Sequence, residues 1–521
     1  MRRPSRAQLA AYARHPALRS PAEAKGLIER RVARLPVDPM RRERAWSARL
    51  PVLAEALGKA EDTDRAILRT PQQLRDRLAG ILDPTDAAHA WLALAVLAAQ
   101  LPFEDTVVAV TRRAEFDDGL ALAQAIARAT TMATWAWPVE VSNGVLVDVD
   151  HTLHADFLTG IQRVVVETVP RWMRARGATP VGWTPGYGAM RLLDDVEAAR
   201  FSGTSKHDPL PPSLPRVVVP WGGTYLLAEL ALELPRVDRI RATARFSPVR
   251  TGVIGYDCVP VTSSETVALG VGHFARNLAA VKYMDRVAAI STSSATEYEG
   301  WRQSLGGLGL SGPRVAAVTL PAEVPASAPT QGGFGEDASP DGRLPLVLVV
   351  GSHEPRKNHL AVLHAAELLW REGLGFRLTF VGGRGWGSEP FVAALDRLRS
   401  QGRPVSMATS FDDPTLFAAY RQARFTVFPS LNEGFGLPLA ESLACGTPAV
   451  TSDFGSMREI AGDGGALLVD PRDDHSIADA MRRLLLDDGL LARLRDEAAR
   501  RPVRTWDNYA QDAWTYLVGG D

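Results

Sequence analysis

Leu344-Pro345-Leu346-Val347-Leu348-Val349-Val350-Gly351-Ser352-His353-Glu354-Pro355-Arg356-Lys357-Asn358 decides the reading of the fold. Its apolar run reads as a strand buried on both faces, the pattern of a parallel sheet with helices on either side. Glycine and a polar turn end the strand, and the residues from His359 to about 369 predict a helix. Strand, turn and helix in that order put the turn at the carboxyl edge of the sheet, where doubly wound folds bind their ligands. Arg356 and Lys357, together with the free amides of a helix start, then make an anion site with phosphate as its natural guest.

Outward from this segment the same texture continues. Strands are predicted at 377–381, 425–428, 448–451 and 466–469, with helices near 416–421, 437–444 and 476–486. Upstream, apolar strands near 144–149, 216–219, 251–255, 286–291 and 314–320 predict a second α/β unit with a mainly parallel sheet. Helices are expected at 20–35, 71–82, 86–101 and 117–127, the third apolar nearly all round. The stretch 321–345, which includes Gln331-Gly332-Gly333-Phe334-Gly335, reads as an interdomain connection. The expected division is a helical accessory domain at 1–135, a first α/β domain at 136–325 and a second at 326–502. An aromatic helix at 503–521, with Trp506, Tyr509, Trp514 and Tyr516, is expected to pack back on the first α/β domain.

Composition agrees with several folded units. The 521 residues exceed the roughly 250 to 300 that one core accommodates. Apolar residues at 46%, with 59 basic and 60 acidic residues, exclude a disordered chain, and the net charge of -1 gives no reason to expect a nucleic-acid partner. Two cysteines, Cys258 and Cys445, exclude a disulfide scaffold, and His273, His353 and His359 lack metal-ligand spacing, so no metal is expected. The longest apolar stretch, 90–99, falls short of the roughly 20 residues that cross a bilayer. Arg2-Arg3-Pro4-Ser5-Arg6 opens no secretory leader, and the expected location is cytoplasmic, with peripheral contact at the inner membrane or an assembly partner assigned to residues 1–135. Gly307-Leu308-Gly309-Leu310-Ser311-Gly312 matches a dinucleotide pattern, but a helix precedes it and a strand follows, the reverse of what that site needs.

A second motif carries more chemistry. In Glu433-Gly434-Phe435-Gly436-Leu437-Pro438-Leu439-Ala440-Glu441 the glycines let a backbone approach a ligand before a helix begins. The two carboxylates have different addresses, one in the loop and one on the helix, and each can accept two hydroxyls of a ribose or hexose.

The order of this motif, the Glu354-Pro355-Arg356-Lys357-Asn358 turn, Val381-Gly382-Gly383-Arg384-Gly385-Trp386, Phe428-Pro429-Ser430, Cys445-Gly446-Thr447-Pro448, Glu459 and Gly462-Asp463 resembles the retaining glycosyltransferases of family 4. The resemblance covers about 144–506. It implies a GT-B fold, in which two Rossmann-like domains face each other and the C-terminal one holds a nucleotide sugar. It implies Glu433 on the transferred sugar, Glu441 on the ribose and Lys357 on the diphosphate, within a substrate loop of Gly434, Phe435, Gly436 and Leu437. Gly351 stands where many members have an arginine, for which Arg356 or Arg384 is expected to compensate. Thr159-Gly160-Ile161-Gln162-Arg163 resembles the glycine loop near the donor phosphates and acceptor, with Gly160 the steric residue, and Tyr256-Asp257 occupies the place of a common His-Asp pair. The reaction so implied moves a hexose, with GDP-mannose the first expected donor, to a polysaccharide or lipid-linked oligosaccharide hydroxyl, with retention and no cofactor. An epimerase or hydrolase on a similar fold, and a noncatalytic nucleotide-sugar scaffold, are the alternatives.

Overall fold

The computed structural model describes residues 41–59, 67–155, 159–201, 214–266, 271–324 and 344–520. The helix expected at 20–35 and the 331–335 part of the connection lie outside the described residues.

Helices Arg41–Ala56, Pro71–Leu78, Ala87–Ala98, Glu104–Asp117 and Leu120–Ala129 open the described chain. Asp86 starts the third by accepting from the Ala88 and His89 amides, and all of Ala90–Ala98 is buried, as an all-round apolar helix requires. The bundle is fused to the unit that follows. Trp91 stacks on Trp221 at 6.3 Å, Arg239 donates to the Leu101 carbonyl at 2.8 Å, and the helices share one apolar core with the first sheet.

That sheet has nine strands: β1 (Val139–Ser142), β2 (Val145–Asp148), β3 (Thr179–Trp183), β4 (Met190–Leu192), β5 (Val217–Pro220), β6 (Thr224–Leu227), β7 (Arg250–Gly255), β8 (Arg286–Ala289) and β9 (Arg314–Ala317). Their spatial order is β1-β5-β4-β3-β2-β6-β7-β8-β9. All pairs are parallel except those of β4 with β3 and β5, because a tight turn at Gly186 (φ 79°) and Tyr187 (φ 58°) returns the chain directly from β3. The second sheet runs β12-β11-β10-β13-β14-β15, all parallel. It comprises β10 (Leu346–Val350), β11 (Arg377–Val381), β12 (Val405–Ala408), β13 (Phe425–Phe428), β14 (Ala449–Ser452) and β15 (Ala466–Val469). Chain direction across the sheet reverses between β10 and β13, which opens a crevice beyond their carboxyl ends. Two facing Rossmann-like units with a helical N-terminal region constitute GT-B architecture.

Two features fix the first unit. Arg236, fully buried, bonds Asp148 at the end of β2 and Glu229 just after β6, each at 2.8 Å. Glu229 in turn accepts from the His151 amide at 2.5 Å and the Thr152 amide at 2.9 Å, so the loop after β2 is bolted to its neighbour. The last helix, Trp506–Val518, leaves the second unit and lies on the first, where Trp172 Nε1 donates to the Ala510 carbonyl at 2.7 Å. The glycine-rich 307–312 segment is a short turn and loop, Leu305–Leu308 followed by Gly309 at φ 71°, between helix Thr292–Ser304 and β9.

Candidate active site

The turn after β10 and the loop after β13 meet at the strand-order reversal. Asn358, in the left-handed region at φ 59°, closes the Pro355–Lys357 turn and starts helix His359–Arg371. Its side-chain amide donates to the Pro429 and Pro471 carbonyls at 3.2 and 2.7 Å, and the Leu431 amide donates to the Arg356 carbonyl at 2.8 Å. Main chain and side chain together therefore clamp the two loops.

Within the clamp, Lys357 Nζ lies 2.6 Å from Glu433 Oε1 and Arg356 Nη1 2.5 Å from Oε2. Burial alone raises the Glu433 carboxyl, but Arg356 and then Lys357 outweigh it and hold the pKa down at about 2. Burial lowers the Lys357 ammonium, and Glu433 opposes that shift. The Arg356 guanidinium also donates to the Asn432 carbonyl at 2.8 Å and stands 3.7 Å from Glu354. The cluster is thus a preassembled cation pair folded onto a carboxylate at the mouth of the crevice.

Gly436, at φ 110°, turns the chain into helix Leu437–Ala444, on which Glu441 sits. Glu441 Oε1 accepts from Arg163 of the first unit at 2.8 Å and Oε2 from the Tyr420 hydroxyl at 3.1 Å. Burial raises this carboxyl, with Arg163 acting against it. Gly434 lies where the units touch: a Cβ there would fall 2.4 Å from the Tyr256 carbonyl, a distance only glycine tolerates. Ser291 Oγ donates to the Gly434 carbonyl at 2.6 Å, and Ser294 Oγ is within 2.9 Å of it. Glu459 accepts from the Thr292 and Ser293 amides at 3.0 and 3.1 Å, across the same seam.

The sequence-derived residues fall into three groups. Arg356, Lys357, Glu433, Gly434, Phe435, Gly436, Leu437 and Glu441 converge on one wall. Gly160 faces that wall from the other unit, but a Cβ added to it would meet only Leu437 Cδ1, at an ordinary 3.7 Å. Asp257 stands beside them, raised to about 6 by burial, with Arg356 pulling it back down. The side chains of Tyr256 and Arg384 have other settings. The Tyr256 hydroxyl donates inward to the Ala228 carbonyl at 2.7 Å while its ring joins a buried cluster with Phe435 and Leu439, and Arg384 is an exposed residue bridged by its backbone to His353.

Residues 336–501 match the family model described as glycosyl transferases group 1. The match lies within the C-terminal unit. At 29% identity over 331 residues, 61% of this chain and 40% of the other, the protein is similar to the serotype-specific mannosyltransferase WbdA of Escherichia coli. It is 38% identical to the O-antigen chain mannosyltransferase B of Escherichia coli over 144 residues, 27% of this chain and 37% of that one. The chain spans about two fifths of the length of these curated relatives. Sucrose-phosphate synthase of Thermosynechococcus elongatus aligns with a TM-score of 0.49 at 17% identity, over 71% of this chain and 97% of that one.

Beside the Pro355–Lys357 turn, His353 and His359 are buried ring to ring at 5.3 Å among Phe380 and Phe391. Burial lowers both imidazoles. Among the described residues, no group of three or more His, Cys, Asp or Glu could hold a metal ion and no helix is long and apolar enough to cross a membrane. Sequence reading assigned no role to Arg163, Tyr420 or the Ser291–Ser294 run. The serine run following a strand is an N-cap signal that marks the seam; for Tyr420 no local signal exists.

Proposed function

We propose that the protein transfers a hexose, mannose first among candidates, from a nucleoside diphosphate sugar to a hydroxyl of a polysaccharide or lipid-linked oligosaccharide, with retention at the anomeric carbon. The observation that carries this reading is the meeting of Lys357, Arg356 and Glu433 at the strand-order reversal of the second sheet, with Glu441 on the helix that follows. Lys357 neutralises charge developing on the departing diphosphate, and the amides at the start of helix Leu437–Ala444 add to it. Glu433 exchanges one of its cations for sugar hydroxyls, and Glu441 accepts the ribose hydroxyls. The opposing unit presents the acceptor, whose oxygen attacks on the leaving-group face, with a diphosphate oxygen taking its proton. Similarity to two bacterial mannosyltransferases supports the choice of sugar. Gly160 is proposed to give the phosphates room, and Asp257 to orient the sugar from the acceptor side. We extend the reading to peripheral attachment at the cytoplasmic face of the inner membrane through the helical region, where Phe116 stands 92% exposed beside Arg112 and Arg113.

The test incubates purified protein with GDP- and UDP-sugars and with panels of oligosaccharide and lipid-linked acceptors, and reads product mass and anomeric configuration. Acceptor-dependent transfer with the donor's anomeric configuration is expected. An isomerised nucleotide sugar formed without acceptor, or a product of inverted configuration, would overturn the reading.

A further inference from the structure

Arg163 has no role in the reading above, and its position supplies one. Helix Gly160–Arg176 begins at the carboxyl edge of the first sheet, where Thr159 and Gln162 cap it reciprocally and Gln162 Nε2 lies 3.1 Å from His151 Nδ1. From that fixed first turn the guanidinium reaches across the crevice to Glu441, 2.8 Å away, with side-chain exposures of 18% and 7% for the two partners. Gly160 on the same turn lies against Leu437, the first residue of the helix that carries Glu441. The starts of two helices from opposite units thus face each other, with this ion pair between them.

The next step rests on the proposed role of Glu441 as the ribose acceptor. When the ribose hydroxyls arrive, Arg163 has to release the oxygen it holds. A guanidinium remains charged throughout the working pH range, and one enclosed this far carries a heavy penalty if left unpaired. The anion that arrives with a ribose is the phosphate chain on its 5′ carbon, and the facing helix starts favour that anion in the same crevice. We infer that Arg163 is a donor-binding residue that exchanges Glu441 for a phosphate oxygen of a nucleoside diphosphate. Lys357 approaches the diphosphate from one unit and Arg163 from the other. Both charges of the present ion pair keep a partner in the empty and the loaded states, and the exchange ties nucleotide arrival to contact between the two units.

Calorimetric titration of guanosine, GDP, uridine and UDP into wild type, Arg163→Ala, Arg163→Lys and Lys357→Ala tests the exchange, with thermal unfolding as the check on folding. The ratio of diphosphate to nucleoside affinity reads the grip on phosphate separately from the grip on ribose. Arg163→Ala is expected to lower that ratio about tenfold or more, the effect of losing one charged hydrogen bond, while nucleoside binding holds or tightens because Glu441 is freed. Arg163→Lys is expected to restore part of the ratio. An unchanged ratio in folded Arg163→Ala overturns the inference, as does an equal loss of nucleoside and diphosphate binding. If Lys357→Ala lowers the ratio and Arg163→Ala does not, the exchange alone falls. If neither diphosphate binds to wild type, or Lys357→Ala leaves the ratio untouched, the donor-site reading falls as well.

Discussion

Arg236 in the first unit and Arg356 in the second each lie at the carboxyl edge of a sheet, bonded to a buried carboxylate, yet their surroundings differ in one decisive respect. Around Arg236 each oxygen of Asp148 and of Glu229 takes two donors. Asp148 Oδ2 accepts from Trp183 Nε1 and the Tyr225 hydroxyl, both at 2.7 Å, and Glu229 Oε2 accepts from the Thr152 amide and hydroxyl at 2.9 and 2.8 Å. Around Arg356, each oxygen of Glu433 and of Glu441 takes a single donor, although a carboxylate oxygen has room for two. Asp148 and Glu229 are saturated and belong to folding, although Arg236 Nε is itself buried without a partner among the described residues. Glu433 and Glu441 are half filled and keep capacity for a ligand. Charge and burial alone do not separate them; the count of donors does.

The contrast breaks most sharply at Arg236. Arg236→Ala strands Asp148 and Glu229 as buried charges and is expected to cost about 3–5 kcal/mol in urea unfolding; a loss below about 1 kcal/mol would mean the cluster is not structural. Lys357→Ala is expected to cost less in stability, because Arg356 still pairs with Glu433, while turnover at subsaturating donor falls roughly 10²- to 10³-fold, the scale for removing a preorganised charge stabiliser. Comparable turnover in a folded variant would move the diphosphate elsewhere.

Glu433 sharpens the comparison through pH. Its folded pKa of about 2 lies below the ordinary 4.5, so the stabilisation it contributes is fully present above pH 4.5 and is lost as the pH falls toward 2. The difference is on the order of 3 kcal/mol. Unfolding of wild type against Glu433→Gln at pH 5 and pH 3 should show the variants converging in acid, and parallel curves would contradict the ion pairs. The two glycines give the smallest effects. Gly434→Ala forces a Cβ against the Tyr256 carbonyl and is expected to cost about 1–3 kcal/mol in thermal unfolding. Gly160→Ala meets only ordinary contact and is expected to change stability by less than about 0.5 kcal/mol while lowering donor turnover, which separates a glycine kept for packing from one kept for a ligand.

How far the sequence carries can be seen in the same residues. The meeting of Lys357 with Glu433 was legible because each sits in the loop that follows a strand, where period and punctuation fix the local geometry, and Glu441 lies on the helix that the glycines introduce. The Arg163–Glu441 pair joins residues 278 positions apart in the chain, and no local pattern encodes it. The inward turn of the Tyr256 hydroxyl escaped notice for a related reason: a residue just past a strand faces core or cleft according to how the neighbouring unit packs. Strands β1, β3, β4, β6 and β12 have no counterpart among the predicted strands; each is three to five residues long, and Pro180 and Gly182 interrupt the apolar run of β3. The boundary near 135 was visible as a change of texture, whereas the continuity of the apolar core across it depends on contacts such as Trp91 on Trp221.

The return of Trp506–Val518 to the first unit means that the polypeptide crosses between the halves twice. Two tethers permit rotation about a hinge but forbid the halves from drifting apart as beads on a string. A fragment cut at 344 to isolate the second half would carry this helix away from its dock, with Trp506, Tyr509 and Leu517 bared to water. Helix Trp506–Val518 is therefore a strap for the half synthesised first, and trimming it would injure that half rather than the domain it follows.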